Sequence, residues 1–353
     1  MQHCTSYSFK KRYELIDMSA KRTLAERWLQ GAYQGSRWLW PLRPLGALYE
    51  WGMARREQAY LRGRKATWRA PVPVIVVGNI TLGGTGKSPL VAWLANWLVA
   101  HGWSPGIVSR GYGGNALQYP LFVGPSTNVA ESGDEPLMLA QQTGLPVVAD
   151  PERARGVQAL VEAGCDIVLS DDGLQHLALA RDVELLVIDG ARGLGNGCCL
   201  PAGPLRESPK RLQRVDAVIV NGDAQQALPV EALTTMQLAP LCWRRLEDGA
   251  RFPLAPLPFT LPVHGVAGIG NPERFFRTLA TLGVEGDWHP LEDHQHFSAE
   301  ALDFAESRPV IMTAKDAVKC FDLAPANSWV LDVEATLPIE FEHWLAARLS
   351  ALS

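Results

Sequence analysis

The sequence predicts an α/β fold with a parallel-sheet lobe of the phosphate-loop (P-loop) type, a second and smaller α/β lobe, and an N-terminal amphipathic helical segment. Three observations carry this prediction: short β-rich runs alternate with helical stretches, a glycine-rich loop follows the first run, and a basic, tryptophan-rich segment precedes it. Alternation of this kind favours a parallel sheet covered on both faces. The chain has 353 residues, enough for two domains with hydrophobic cores.

Composition narrows the class of protein further. Hydrophobic residues make up 47% of the chain and charged residues 20%, as in globular proteins. The six cysteines are scattered without a C-x-x-C pair, which argues against a zinc knuckle or a disulfide framework. We expect helices over 18–69, a nucleotide-binding domain over 70–222, a linker over 223–262 and the smaller lobe over 263–353.

The first of these segments is strongly basic. Residues 19–69 contain eleven Lys or Arg, three Asp or Glu, and five of the twelve Trp, although the whole chain carries a net charge of -4. Two amphipathic stripes predict two short helices, one through Leu24, Trp28 and Ala32 and one through Leu45 to Met53. No run reaches the ~18–20 apolar residues that a membrane span requires.

Basic side chains interleaved with Trp and Leu suit an anionic membrane surface, so this segment is predicted to associate with a membrane peripherally. The alternatives are a helix pair packed on the protein's own surface and nucleic-acid binding; we expect neither a nucleic-acid partner nor an obligate protein partner. Met18, just before the basic segment, competes with Met1 as the true start.

The elements of the first lobe follow from apolar runs and turn signals. Helices are expected at about 88–101, 134–143, 151–163 and 206–213. Strands are expected at 72–77, 106–109, 146–149, 166–170, 184–188 and 215–220.

The 223–260 stretch is rich in Pro, Ala and Leu and resembles a connection. A second βα pattern then begins with a strand at Val263–Gly268. Asn271 and Pro272 predict a helix start, and Gly283 its end. Strands at Val310–Thr313 and Trp329–Val333 and a helix over 338–351 complete the smaller lobe, and ligands tend to bind in the cleft between two such lobes.

The strand at 72–77 leads into TLGGTGKSP, a phosphate-binding loop that opens a helix. Glycines allow consecutive backbone N–H groups to face phosphate oxygens, Lys87 reaches the outer phosphates, and Ser88 offers its hydroxyl to Mg²⁺. The chain is therefore predicted to bind a nucleoside triphosphate. Thr81 stands where the usual pattern has its first glycine. The predicted phosphate-binding residues are Thr81, Gly83, Gly84, Thr85, Gly86, Lys87 and Ser88.

A P-loop needs a partner carboxylate for Mg²⁺, and Asp171 and Asp172 end a neighbouring predicted strand. The sequence leaves open which of the two ligates the metal, and a turn or helix cap is the structural alternative. Arg206 and Glu207 end the rigid LPAGPLRE loop; the Arg suits phosphate and the Glu suits Mg²⁺. The SRGYGG loop after the second strand would suit another phosphate.

Two further acidic sites remain ambiguous at this point. Asp134 opens a predicted helix, where a carboxylate also serves as a cap. The DHQH cluster at 293–296 contains two histidines and an acid, which fit a metal site, a histidine supporting a catalytic carboxylate, or an ordinary loop.

Together the motifs resemble one family, the tetraacyldisaccharide 4'-kinases, which are the lipid A 4'-kinases of Gram-negative bacteria. The motifs are VPVIVVGNITLGGTGKSP, SRGYGG, GDEP, DDGLQH, LPAGPLRE, GIGNPERFF, DH before Phe297, and TAKDAVK, in the family's order from about Ala25 onward. The threonine at position 81 is typical of this family. The TAKDAVK segment has Ala314 where the family favours Glu, and we assign it no role.

This resemblance implies transfer of the γ-phosphate of ATP, with Mg²⁺, to the 4'-hydroxyl of a lipid A disaccharide precursor at the cytoplasmic face of the inner membrane. It implies two lobes joined by a strand linker. It also implies a catalytic pair, Asp134 and His294, with His296 and His264 as other candidates for the histidine. Asp171 and Asp172 match the metal-binding acids, and Arg206 and Glu207 the loop near the nucleotide.

Two other classes of protein compete with this interpretation. A membrane-recruited P-loop regulatory ATPase is the main alternative, but such proteins usually carry a second lysine near the start of the loop, and Thr81-Leu82-Gly83 has none. A non-catalytic membrane scaffold is the other.

Overall fold

The computed structural model of the protein describes residues 23–230, 232–291, 302–304, 307–320 and 323–352. The helices are α1 Leu24–Gln34, α2 Arg43–Leu61, α3 Lys87–Ala100, α4 Val129–Ser132, α5 Asp134–Thr143, α6 Arg153–Glu162, α7 Pro272–Thr281, α8 Ala314–Cys320 and α9 Ile339–Ser350. Short 3₁₀ segments cover Arg37–Leu42 and Pro209–Gln213.

The strands form one sheet of mixed direction. They are β1 Val74–Gly78, β2 Pro105–Ser109, β3 Leu121–Phe122, β4 Val147–Ala149, β5 Ile167–Asp171, β6 Val183–Asp189, β7 Ala217–Asn221, β8 Thr234–Arg245, β9 Arg251–Phe252, β10 Val263–Ala267, β11 Gly286–Pro290, β12 Val310–Thr313 and β13 Ser328–Thr336. Their order is β11-β10-β12-β13-β8-β7-β6-β1-β5-β2-β4-β3, with β9 on β8. The expected α/β fold with a large parallel sheet is confirmed.

The first lobe contains the parallel run β7-β6-β1-β5-β2-β4. Its strands are buried along their length because helices cover both faces. Each of its six predicted strands is present, with its ends within two residues of expectation. The three helices expected at 88–101, 134–143 and 151–163 are present as α3, α5 and α6.

The prediction of a helix at 206–213 is wrong. The backbone N–H of Arg206 donates instead to Ile80 O at 2.7 Å, which holds this part of the chain against the loop after β1. Only a short 3₁₀ turn forms, and it begins at Pro209, a residue that lacks the N–H needed inside a helix.

The stretch that the sequence predicted only as a connection contains the twelve-residue strand β8. Its first residues, Thr234 to Met236, pair with β7 in parallel, and its remainder pairs with β13 antiparallel. One strand therefore belongs to both lobes, which matches the strand linker that the family resemblance implied. The sequence analysis also missed the short elements β3, β9, β11 and α8.

The two lobes also share hydrophobic packing. Helix α9 lies against α3, where Phe341 contacts Trp93 and Trp97 Nε1 donates to Glu342 Oε2 at 3.1 Å. A separate cluster around Trp243, Trp329 and Phe275 fills the other face of the smaller lobe. The smaller lobe is thus joined to the first lobe by a strand and by a helix.

At the N-terminus, two helices separated by a 3₁₀ turn lie on the first lobe. Thr23 and Glu26 form a capping box that starts α1, and Gly35 ends it in the left-handed conformation. Trp28 Nε1 donates to Pro201 O at 3.0 Å, while Gly46 of α2 is buried. Within the described residues, no helix combines the length and the apolar character needed to cross a bilayer.

The packing of β8, the strand that both lobes share, can be tested by comparing a buried and an exposed position along it. Trp243 is completely buried, whereas Leu241, two residues earlier, is 46% exposed. Trp243→Ala should lower the free energy of unfolding by about 3–5 kcal/mol because it leaves a large cavity. Leu241→Ala should cost less than about 1 kcal/mol. Equal losses in urea unfolding would contradict the packing described for this strand.

Candidate active site

The phosphate loop lies between β1 and α3 in the geometry that its glycines predict. Gly83 and Gly86 both have φ of 91°, a left-handed conformation that other residues adopt only with strain. A Cβ at Gly86 would lie 2.3 Å from Asn221 Nδ2, so this position also lacks room for a side chain. The loop then enters α3 directly at Lys87 and Ser88.

The two acids of the DDGLQH motif lie beside this loop because β5 pairs with β1 in parallel, with Asp171 opposite Val77. Lys87 Nζ lies 3.5 Å from Asp172 Oδ1, and Arg206 Nη1 lies 3.1 Å from Asp172 Oδ2. Asp172 adopts φ of 48°, which turns the chain sharply after the strand. The structure therefore brings together Lys87, Asp171, Asp172 and Arg206, as the sequence predicted.

The electrostatic environments of these two acids differ. Asp171 is completely buried, and neither carboxylate oxygen has a hydrogen-bond partner in the described structure. Burial, together with the nearby Glu135, raises the pKa of Asp171 to about 7. Burial also acts to raise the pKa of Asp172, but Lys87 and Arg206 outweigh it and hold that pKa below its ordinary value.

The donor set at this point fits a divalent cation. A buried carboxylate without a protein partner is unfavourable unless a cation or proton joins it. Asp171 is such a group, and the acid Asp172 and the hydroxyl residue Ser88 belong to the same site; oxygen ligands of this kind suit Mg²⁺. No group of three His, Cys, Asp or Glu with metal-ligand spacing occurs among the described residues.

Glu207, the fourth predicted metal ligand, has other partners. Gln175 Nε2 donates to Glu207 Oε1 at 2.6 Å, and Arg211 Nε lies 3.4 Å from Oε2. The side chain lines a second cavity of about 190 Å³ between α2 and the 207–214 segment. The structure places Arg206 against Asp172 and Glu207 in this neighbouring cavity.

Asp134 lies at the first position of α5 and is buried. Its Oδ1 accepts a hydrogen bond from the N–H of the adjacent Glu135 at 3.0 Å, but the N-cap of α5 is Gly133 and the capping role weighed from the sequence is not seen. Lys315 Nζ, from α8 of the smaller lobe, lies 3.8 Å from Asp134 Oδ2 and 3.5 Å from Glu135 Oε1. Asp134, one of the predicted catalytic pair, thus lies where the two lobes meet.

The sequence analysis gave Lys315 no role, and the structure places it in the cleft. No spacing in the chain reports this position, because Lys315 reaches Asp134 and Glu135 only through the packing of the smaller lobe against the first. The SRGYGG loop borders Asp134 from the other side, since a Cβ at Gly133 would lie 2.5 Å from Tyr112 O.

The predicted histidine His294, with Asp293 and His296, lies outside the described residues. His264, the other candidate, is buried at the start of β10. Its Nδ1 lies 3.2 Å from His289 Nε2, and its ring stacks on Phe304 at 4.1 Å between centroids. It does not line the cavity at the phosphate loop.

That cavity, of about 220 Å³, lies between the lobes. The phosphate loop and Glu135 line one side; Asn271, Arg274 and Lys315 of the smaller lobe line the other. Met138, Leu238, Phe275 and Val333 supply apolar walls. A pocket with phosphate-binding backbone at one end and apolar walls beside it has the chemical character that suits a ligand with charged and apolar parts, such as a nucleotide.

The fold and this site define the chain as a P-loop protein of the α/β class, with a buried carboxylate, Asp134, where the two lobes meet. The sequence profile described as Tetraacyldisaccharide-1-P 4'-kinase matches residues 38–350. The chain therefore belongs to the tetraacyldisaccharide 4'-kinase family.

Individual relatives agree with this assignment. A tetraacyldisaccharide 4'-kinase of Alkalilimnicola ehrlichii is 54% identical over 88% of this chain and 92% of its own length. One of Pseudomonas aeruginosa is 47% identical over 94% of this chain and 99% of its own. The crystal structure of LpxK from Aquifex aeolicus in complex with ATP is similar with a TM-score of 0.74, at 29% identity, covering 89% of this chain and 98% of that one.

The buried Asp171 predicts a specific pH dependence of stability without metal or nucleotide. Its pKa is about 7 when folded and 3.8 when exposed, so the folded state holds the extra proton between these values. Stability should therefore fall as pH rises through this window. Asp171→Asn removes this loss. The difference in free energy of unfolding between the variant and the wild type should therefore shift by about 2 kcal/mol in favour of the variant between pH 5 and pH 7.

Urea unfolding in EDTA at several pH values measures this difference between the two proteins. A difference that stays constant with pH would contradict the buried, unpartnered environment of Asp171.

Proposed function

We propose that this chain transfers the γ-phosphate of ATP to the 4'-hydroxyl of a tetraacylated glucosamine disaccharide 1-phosphate, a lipid A precursor. The observation that carries the proposal is the arrangement at the cleft in a chain of this family, where the phosphate loop with Lys87 and Ser88 lines one cavity with Lys315, which lies 3.8 Å from the buried Asp134. Family membership favours this activity over that of a membrane-recruited regulatory ATPase.

In this mechanism the phosphate loop binds the triphosphate through its backbone N–H groups, and Lys87 neutralises charge on the outer phosphates. Ser88, Asp171 and Asp172 would hold Mg²⁺, which supplies positive charge to the phosphate oxygens when bound. Glu207, which was predicted with them, is paired instead with Gln175 and Arg211 in the neighbouring cavity. Arg206 contacts Oδ2 of Asp172, whereas Lys87 contacts Oδ1, and so helps to orient this carboxylate.

Asp134 accepts the proton of the attacking sugar hydroxyl. The Lys315 ammonium lies 3.8 Å from its Oδ2. We assign the supporting histidine role to His294. Closure of the lobes over the transferred phosphoryl group would exclude water and so limit ATP hydrolysis.

The acceptor is a lipid, and the N-terminal helices of the predicted 18–69 segment are suited to meet it. Trp38, Trp40 and Trp51 are more than half exposed, as are Leu45 and Leu48. Arg37 and Arg43 lie over the ring of Trp40, and Arg55 over that of Trp51. Exposed Trp with adjacent Arg suits the headgroup level of an anionic bilayer, so we place the protein peripherally on the cytoplasmic face of the inner membrane.

Phosphate transfer itself is the test of the function. Purified protein with γ-labelled ATP, Mg²⁺ and tetraacyldisaccharide 1-phosphate in detergent should yield labelled lipid. ATP hydrolysis without labelled lipid would instead support the regulatory ATPase, and the absence of both would contradict the proposal.

Asp134→Asn tests the base. The variant keeps the shape of the side chain but cannot accept the proton, so transfer to lipid should fall about a hundredfold or more. Its affinity for ATP, measured by calorimetry, should stay within about twofold. A matching loss of ATP affinity would show that Asp134 acts structurally, at the start of α5.

The proposed membrane-binding role of the N-terminal helices can be tested with the double variant Trp40→Ser, Trp51→Ser. Its partitioning onto vesicles of phosphatidylglycerol and phosphatidylethanolamine should fall about tenfold or more, because two interfacial aromatic side chains are lost. Leu117→Ser is the control, since Leu117 is 97% exposed on the first lobe outside this segment. Equal partitioning of the double variant and the wild type would overturn the assignment.

A further inference from the structure

Four consecutive carbonyl groups of the phosphate loop each accept a hydrogen bond from a side chain outside the loop. The donors are Tyr33 to Leu82 O at 2.5 Å, Asn79 to Gly83 O at 3.4 Å, Arg192 to Gly84 O, and Asn221 to Thr85 O at 3.0 Å. None of the four was singled out from the sequence. We refer to them together as the carbonyl clamp.

The direction of each carbonyl fixes the direction of the next amide. In a trans peptide the C=O of one residue and the N–H of the next point to opposite sides of the chain. Carbonyls held outward at positions 82 to 85 therefore aim the N–H groups of Gly83, Gly84, Thr85 and Gly86 inward. In the described structure these four N–H groups donate to no protein acceptor, so they are available to phosphate oxygens.

The clamp residues come from four different parts of the fold. Tyr33 belongs to α1, Asn79 follows β1, Arg192 follows β6, and Asn221 ends β7. Asn79 is completely buried, and its amide also contacts Thr85 Oγ1 at 3.3 Å. Asn221 is buried as well, so these two donors have fixed positions.

Two of the donors are in turn held by the smaller lobe. Arg274 of α7 donates to Asn221 Oδ1 at 2.8 Å, which leaves the Asn221 amide nitrogen directed at Thr85 O. Arg192 Nη1 also reaches Gly270 O of the smaller lobe at 3.5 Å. The shape of the phosphate loop therefore depends on contacts that cross the cleft.

The N-terminal helix takes part through Tyr33. Its ring lies 5.0 Å from the Arg192 guanidinium, and its hydroxyl reaches Leu82 O. Burial raises the pKa of Tyr33, despite the opposing effect of Arg192, so the hydroxyl stays protonated and able to donate. Asp189 Oδ2 lies 3.3 Å from Arg192 Nε, and this ion pair helps to hold the Arg192 side chain in place.

We propose that Tyr33, Asn79, Arg192 and Asn221 are positioning residues that hold the phosphate loop in its phosphate-binding shape before the nucleotide arrives. Through Tyr33, the N-terminal helix is part of the nucleotide site as well as of the membrane-facing segment. This inference rests on the proposed binding of ATP at the loop. It adds four residues that contact the loop, of which Asn221 also lines the cavity assigned to the nucleotide.

The test compares ligands with and without phosphates. In Tyr33→Phe, which loses only the hydroxyl, the Kd for ADP with Mg²⁺ should rise about fivefold, equivalent to about 1 kcal/mol. In Arg192→Met, which loses the guanidinium, it should rise about tenfold or more. Affinity for adenosine, which has no phosphate, should change less than about twofold in both. Calorimetry measures ADP, and ligand-observed NMR measures adenosine.

Tyr60→Phe is the matched control, because it removes the same hydroxyl from α2, where the ring contacts Lys65. It should bind ADP as the wild type does. ADP affinity unchanged in both clamp variants would overturn the clamp, and so would an equal loss for ADP and adenosine, since that reports a general loosening of the site. A wild type that binds no ADP would overturn the proposed nucleotide function itself.

Discussion

The parallel pairing of β1 with β5 is the interaction on which the site depends. It sets Val77 opposite Asp171, so the phosphate loop and the acid pair leave the sheet at the same edge and at the same level. A one-residue shift of register would move the acids relative to Lys87 and reverse the face on which each side chain lies. Burial of both strands on two faces fixes this register, because every residue of β1 and of β5 is buried.

The second constraint is the continuity of the sheet through β8. Because β8 pairs with β7 at one end and with β13 along the rest, the smaller lobe is held at a defined distance from the phosphate loop. That distance lets Lys315 reach Asp134, and Arg274 reach Asn221. Helix α9, packed on α3, joins the lobes a second time. Any relative movement of the two lobes must bend both connections. Such movement is therefore restricted to changes in the width of the cleft between the lobes.

Much of this could be predicted from sequence because the signals are local. Apolar runs located the strands of the first lobe, and Asn271 with Pro272 located the start of α7, where Asn271 Oδ1 accepts from Arg274 N at 3.2 Å. The 206–213 helix was wrong because a contact distant in sequence, Arg206 N to Ile80 O, overrode local preference. Strand β8 was missed for a related reason, since its sequence TTMQLAPLCWRR contains a Pro and lacks a regular apolar alternation, and it forms a strand between two partners, β7 and β13. The roles of Lys315 and Arg192 depend wholly on tertiary contacts, and no spacing in the chain reports them.

A structure with Mg²⁺ and a non-hydrolysable ATP analogue tests the central claim most directly. The account predicts the triphosphate on the N–H groups of Gly83 to Lys87, the metal between Ser88 and the Asp171–Asp172 pair, and the terminal phosphate facing Asp134. The loop itself should differ little from its present shape, because the side chains that bind its carbonyls already set it. A nucleotide bound away from this loop, or a terminal phosphate directed away from Asp134, would contradict the account.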